Sequence, residues 1–335
     1  MGRNTLLEIS VRRFYRIASG ALVLSMLCGA AAAQDSYPTK SIQLIVTTAA
    51  GGANDLVARA LAERLSESMR QPVIIENQPA GNGGVAAGQV AKATPDGHTL
   101  IFVVDSTLTI NPHLYRNLTY DPFRDFAPIS IVTQLPLVLV ANTTVKANDV
   151  RELIALAKAE PGKLTYASTG LGTQLHIGME LFKLMTKTDI LHVPYRATTA
   201  AMADLMGGRI DIVLIGQSSA KAQMDGGKVK LLAIASPRRS PLMPQVPTID
   251  EAGVPGYEVS SFFGLLAPAK TPQSIVDRLS REVKKAAAHP RFIATLAPQG
   301  MEIVASSPEE MRAAMQTMSK KWGDVITATG TTINQ

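Results

Sequence analysis

Cysteine is almost missing from this 335-residue chain: Cys28 is the only one, and it lies in an N-terminal stretch that reads as a removable leader. The mature chain therefore has no disulfide and no thiol chemistry. Aromatic residues make up 5% and charged residues 18% of the sequence. The basic residues are scattered and form no aromatic-interleaved stripe, which argues against nucleic acid as a partner. Long apolar runs are scarce as well. Ile17 to Leu27 is too short to span a bilayer comfortably, and no later segment reaches its length without charge or proline. Catalytic signatures are also lacking. His98, His113, His176, His192 and His289 stand far apart, with no H-E-x-x-H pair and no second zinc ligand at suitable spacing. There is no G-x-S-x-G elbow and no G-x-x-x-x-G-K-[ST] loop. No metal and no cofactor is implied.

The leader is the first positive feature. Arg3, Arg12, Arg13 and Arg16 precede the apolar run, and the small residues Gly29 to Ala33 follow with an A-x-A pattern at Ala31 and Ala33. Residues 1–33 read as a secretory signal peptide, cleaved to begin the mature chain at Gln34 or Asp35. Arg12-Arg13 raises twin-arginine export, though the flanking residues fit it poorly. Cys28 raises lipidation, but Leu27 is larger than such a site needs. Without the four Arg and one Glu of that segment, 29 basic and 26 acidic residues remain, a net charge of +3. The expected protein is soluble and periplasmic.

The remaining chain of about 300 residues needs no covalent staple to hold a core. It alternates short β-rich runs with amphipathic helices, the pattern of an α/β fold with parallel sheet. Strands are expected at 42–48, 73–77, 99–105, 137–141, 164–167, 191–194, 210–215 and 231–235. Helices are expected at 55–69, 150–160, 173–186, 198–206, 274–288 and 308–322, the last with Ser307 as N-cap and Glu310 completing a capping box. Two proline-marked stretches, 128–136 and 236–257, read as connections between lobes, with a long apolar strand returning at 259–267. They place lobe 1 at 34–135 and 256–335 and lobe 2 at 136–255. No tandem repeat or low-complexity tract is present.

A strand, a small-residue loop and a helix recur. The unit occurs at Ile42 to Asp55, through Ala49, Ala50, Gly51, Gly52 and Asn54, and again at Thr165 to Thr173, through Ser168, Thr169, Gly170 and Gly172. A helix N-terminus leaves backbone N–H groups unpaired and carries the positive end of the macrodipole. Small residues before it let an anion approach closely. Two such loops on facing lobes would hold a carboxylate without arginine; equally, such residues cap helices and turn corners in most α/β proteins. Asp55 is expected to cap its helix, with ligand contact an addition. His176 either reaches a ligand or packs. Arg196 is the candidate charged contact to a carboxylate, against the plainer reading of a solvated surface arginine. Gln217 lies where a strand end would face a cleft, and Ser106 completes the candidate set. Gly81-x-Gly83-x-x-Ala86, with Asp105 ending the next strand, imitates a dinucleotide fingerprint. Pro79 before the loop and its place in the second strand–helix unit argue against that reading. Ser168 has no evident acid–histidine pair beside it, which argues against a nucleophile.

Several separated motifs resemble the Bug or TctC solute-binding proteins of tripartite tricarboxylate transport systems. They are Tyr37 to Ile42, Gly51-Gly52 with Asp55 and Ala58-Arg59, Pro95 to Leu100, Asn111 to Tyr115, Tyr120-Asp-Pro with Asp125 to Ile129, Tyr166 to Gly170 with His176, Val193 to Arg196, Val246-Pro-Thr with Glu251 to Gly253, and Gly264 to Pro268. The resemblance covers essentially the whole mature chain. It implies a type II periplasmic-binding fold, two lobes joined by crossing strands with a ligand cleft between them. It also implies a small carboxylate ligand held by the loops 49–55 and 168–173, membrane permease subunits as partners, and a monomer. The chain departs from the family pattern at Ala49-Ala50, where proline is usual before the glycines, at Ala197, where glycine is usual, and at Phe262, where tryptophan is common. Each of these positions could line the cleft. A binding protein feeding a sensor, and a periplasmic enzyme using the same cleft, stand as alternatives.

Overall fold

The structure, a computed structural model, describes residues 37–333, so the leader reading, its cleavage site and Cys28 lie outside the described residues. The chain divides into two compact units at Lys40/Ser41. Only Tyr37–Lys40 of the first is described; the fold proper is the second.

The first half opens with strand–helix units: β1 (Ile42–Val46), α1 (Ala53–Met69), β2 (Val73–Asn77), α2 (Gly84–Val90) and β3 (Thr99–Val104). Leu44, Ile45 and Val46 are buried in succession, without the alternation of a one-sided strand. That is the mark of a parallel strand covered on both faces, and β1 does pair in parallel with both β2 and β3. Two short helices follow, α3 (Asp105–Thr109) and α4 (Asn111–Leu114). The sequence pattern places Asp105 at a strand end; here it opens α3 and is completely buried.

The next element, β4 (Phe126–Asn142), is a single strand of 17 residues. The sequence suggests a proline-broken connection followed by a separate strand at 137–141; the backbone instead runs through both. Its first part, as far as Pro136, pairs antiparallel with β9 (Ser260–Pro268), and from Leu137 it pairs with β7 (Ile212–Gly216) and β8 (Val229–Ile234). Proline is tolerated because it stands where a ladder donor is not required. Pro128 sits at a register shift, and Pro136 is the last residue on β9 before the partner changes. The resulting order is β2-β1-β3-β9-β4-β7-β5-β6, with β5 (Thr165–Ser168), β6 (Leu191–Pro194) and β10 (Glu302–Ile303) completing the set.

The second half packs α5 (Val150–Ala159), α6 (Gln174–Thr186), α7 (Thr198–Met206) and α8 (Gln217–Asp225) around β5 to β8. Asp149 caps α5 by accepting from Glu152 N at 2.8 Å. The chain returns where Val259 N donates to Ala235 O at 2.7 Å, leading into β9. Helices α9 (Gln273–Ala287), α10 (Pro290–Leu296) and α11 (Pro308–Thr329) follow. The capping box of Ser307 and Glu310 is formed. Helix α11 serves two cores. Met311 and Met315 pack with Ile101, Phe262 and Leu266, while Trp322, Val325 and Ile326 join Ile177, Phe182 and Tyr257. Among the described residues no helix is long and apolar enough to cross a membrane.

Two lobes joined by crossing strands, with a helix packed on both, make the interior around Trp322 a shared core. Its indole is 1% exposed. Trp322→Ala should cost about 3–5 kcal/mol, read as a lowered urea midpoint in chemical denaturation.

Candidate functional site

The loop 47–52 leaves the C-terminal end of β1 and enters α1. Ala49, Ala50, Gly51 and Gly52 are all exposed. Gly51 has φ +84°, and a side chain there would be strained although space is open. Gly52, the N-cap, has φ −82° and nothing closer than 3.7 Å to an added Cβ, so any residue fits its backbone. No side chain caps α1. Asp55 does not cap as an N-cap residue. It reaches back from the third helical position, accepting from Gly51 N at 2.8 Å and Arg59 Nε at 2.9 Å on one oxygen, and from Asn77 Nδ2 at 2.9 Å on the other. Burial opposes its charge, but the Arg59, Gly51 and Asn77 hydrogen bonds prevail and hold its carboxyl below the usual range. With these partners Asp55 shapes the loop from behind. Asn54 donates to Thr48 Oγ1 at 3.2 Å, leaving its own buried carbonyl oxygen without a partner.

The loop 168–173 does the same between β5 and α6. Gly170 has φ +124° and Gly172 φ +75°. The Thr173 hydroxyl is turned away from capping α6 and donates to Gly170 O at 2.8 Å, while Thr169 is partly exposed. Ser168 is fully buried. Its Oγ accepts from Gly170 N at 3.1 Å and lies 2.6 Å from His192 Nε2. A histidine thus does stand beside Ser168, contrary to the sequence reading. His176 is buried and accepts from Gly172 N at 3.2 Å through Nδ1. Its ring centroid is 4.3 Å from that of His192, which is 4.8 Å from that of Tyr166. Burial pushes both imidazoles down to about 4; for His192 the second cause is His176 itself.

The glycine loop at 79–84 connects these two. An added Cβ on Gly83 would lie 2.5 Å from Thr47 Cβ, so only glycine lets this loop press against the end of β1. Asn82, in the left-handed region at φ 50°, donates through Nδ2 to Asn111 Oδ1 at 2.9 Å and to Gly172 O at 3.3 Å, with Ser106 Oγ at 3.5 Å. The loop that imitates a dinucleotide fingerprint is therefore hydrogen-bonded to the loop 168–173. Its helix has 7 residues, and Asp105 is sealed in the interior. Asn82, Asn111 and His192 stand beside these loops, and the sequence reading did not count them among its candidates. Asn82 alone carried a signal, an asparagine flanked by glycines.

Arg196 is exposed, and no side chain among the described residues pairs with it. Its predecessor is tied to the second loop, Tyr195 N donating to Ser168 O at 2.9 Å. Gln217 and Phe262 lie elsewhere. Gln217 is buried, with its amide on Gly300 O, and Ser218 donates to Gln299 Oε1 at 3.3 Å, a seam against the C-terminal region. Phe262 is 1% exposed and packs with Met311 in the core, so it does not line an open cleft.

Loops open at the C-terminal ends of parallel strands, on two lobes that share crossing strands, define a two-lobed binding protein. The comparisons agree. Residues 57–331 match the family model described as the tripartite tricarboxylate transporter family receptor, TctC. A protein encoded between tcbD and tcbE in Pseudomonas sp. strain P51 is 35% identical over 93% of both chains. BugT of Bordetella pertussis is 33% identical, covering 93% of this chain and 96% of BugT. The R. palustris structure Rpa4515 with adipate superposes at TM-score 0.81 with 33% identity, over 89% of this chain and 100% of that one. The periplasmic binding protein BugD gives TM-score 0.79 and 31% identity with the same coverage. MatC from Rhodopseudomonas palustris with bound malate gives 0.78 and 31%, over 87% and 100%. The chain belongs to the Bug/TctC family of solute-binding receptors.

Asp105 yields a pH prediction. One oxygen accepts from Ser261 Oγ at 2.7 Å, the other is buried without a partner, and burial raises the carboxyl to about 7 despite that hydrogen bond. A pKa raised on folding gives stability that is complete in acid and is lost as pH rises through the folded value. Asp105→Asn should therefore remove a fall in Tm between about pH 4 and 7 that the native chain shows, a gain of a few kcal/mol at most at about 1.4 kcal/mol per unit. Thermal scans across that range check it.

Proposed function

We propose that the protein is a periplasmic receptor that captures a small carboxylate, such as a dicarboxylate, tricarboxylate, acidic amino acid or aromatic acid, and delivers it to the membrane subunits of a tripartite tricarboxylate-type transporter. In this reading lobe 1 comprises 34–135 and 256–335 and lobe 2 comprises 136–255, with α11 bracing both. The observation that carries it is the pair of uncapped helix N-termini, of α1 with 17 residues and α6 with 13, each preceded by a glycine loop. The two loops are linked through Thr47, Gly83, Asn82 and Gly172. Backbone N–H groups and helix dipoles stabilise an anion there without a buried cation. Adipate and malate in two relatives of similar fold support this ligand class. Closure would follow from contacts made only when both loops engage the anion.

The Ser168–His192 pair is the one observation favouring a hydrolase. It does not make a working dyad. Ser168 is fully buried and already accepts from Gly170 N. An imidazole pushed down to about 4 is a weak general base at neutral pH. The nearby Glu180 carboxylate is committed to the Tyr166 hydroxyl at 2.6 Å and to Lys183 at 2.8 Å, so it does not orient His192.

Calorimetric titration with adipate, malate and their diamides tests the reading. The acid should bind at least a hundredfold more tightly than its diamide, since two charge-assisted hydrogen bonds are worth roughly 3 kcal/mol or more. Arg196→Ala should keep measurable affinity, whereas Gly52→Val should lose it with Tm nearly unchanged, because the Gly52 backbone accepts a side chain. Equal affinity for acid and diamide would refute carboxylate recognition. Loss of all binding in folded Arg196→Ala would transfer the anion to that guanidinium.

A further inference from the structure

Gly172 is held from both sides. Its carbonyl oxygen accepts from Asn82 of the opposite lobe at 3.3 Å, and its N–H donates to His176 Nδ1 at 3.2 Å. An added Cβ would lie 2.7 Å from Leu114 Cδ1, so a side chain there would press on Leu114. The N–H contact requires Nδ1 to be unprotonated, because a protonated ring would set two donors against each other. His176 lies against His192, which contacts Ser168 Oγ at the start of the same loop. Both ends of the loop thus rest on one pair of imidazoles in contact at a tilt.

We infer that His176 is a positioning residue whose neutral ring anchors the ligand loop, so that acid releases Gly172, loosens its hydrogen bond to Asn82 and weakens carboxylate binding. The inference rests on the proposed binding role of loop 168–173 only for its last step.

The charged surroundings are few. On α6 they are Glu180 and Lys183, paired with each other; on β5 Tyr166 faces the rings with its hydroxyl on Glu180. From β7 the contact with α6 is Leu214, and from α11 it is Met318 and Trp322. The charges of α11 are engaged elsewhere, Lys321 on Glu258 O and Lys320 on Asp324. His113, on α4, bonds Ser319 Oγ at 2.9 Å. An imidazolium would also attract an anion through space, which opposes the effect, so the sign of the pH response is decisive. The depressed values of both rings place protonation in the folded chain near 4, and the same shift lowers global stability as pH falls from the ordinary 6.5 toward 4.

The test uses the full mature chain labelled with 15N and free of ligand. At pH 7 the His176 Nδ1 should show an unprotonated shift. The Gly172 amide should move on acidification with a midpoint near 4, while thermal unfolding shows the chain still folded. His176→Asn supplies an acceptor oxygen in place of Nδ1 and does not titrate. Its Gly172 amide should stay near the native pH 7 position throughout. At pH 4, where about half of the His176 rings are protonated, adipate affinity of the native chain should have fallen about twofold more from its pH 7 value than that of His176→Asn, a comparison in which protonation of adipate cancels. A protonated Nδ1 at pH 7, an Asn variant whose Gly172 titrates like the native amide, or native binding that tightens in acid would overturn the inference. If adipate binds neither form, the failure belongs to the functional reading, and the amide titration still decides the role of His176.

Discussion

One strand belonging to two sheets is the constraint on which the rest of the structure depends. Residues 126–136 of β4 are laddered to β9, and residues 137–142 to β7 and β8. A lobe cannot be displaced without bending this strand and the return segment at Val259. The ladder partner changes at Pro136. The C-terminal ends of β1, β3 and β5 are brought toward one seam by this arrangement, which is why loops far apart in the chain meet there.

At that seam the chemistry is mostly backbone. The charged groups nearby are committed to holding loops in shape: Asp55 to Gly51, Arg59 and Asn77, and Glu180 to Tyr166 and Lys183. Arg196 is the exception. Keeping side-chain charge out of the recognition surface suits a receptor family whose relatives include an adipate-bound and a malate-bound protein. In the proposed reading, helix N-termini would recognise the carboxylate as a group, and what surrounds the remainder of the ligand would set its identity. Loop stiffness matters more here than the strength of any one contact, since misplaced N–H groups lose an anion as surely as absent ones.

Buried titratable groups cluster behind the loops. His176 and His192 stay neutral because burial disfavours their charge, and Asp105 is raised by the same cause with the opposite consequence for its charge state.

The sequence alone determined the strand–helix alternation, the capping box at Ser307, the two glycine loops and the family, because these depend on local periodicity, on turn chemistry and on motifs that survive side by side in the chain. The continuity of β4 through Pro128 and Pro136 was settled only in the folded chain, since a proline is admissible in a strand only where a neighbour leaves its missing donor unneeded. The fates of Phe262 and Gln217 were likewise decided by packing, the first by Met311 and the second by Gly300. His192 joined Ser168, and Asn82 joined Gly172, across 24 and 90 residues of chain. No local pattern encodes such pairs, because they arise from which strands lie side by side in the sheet and how closely the two lobes approach.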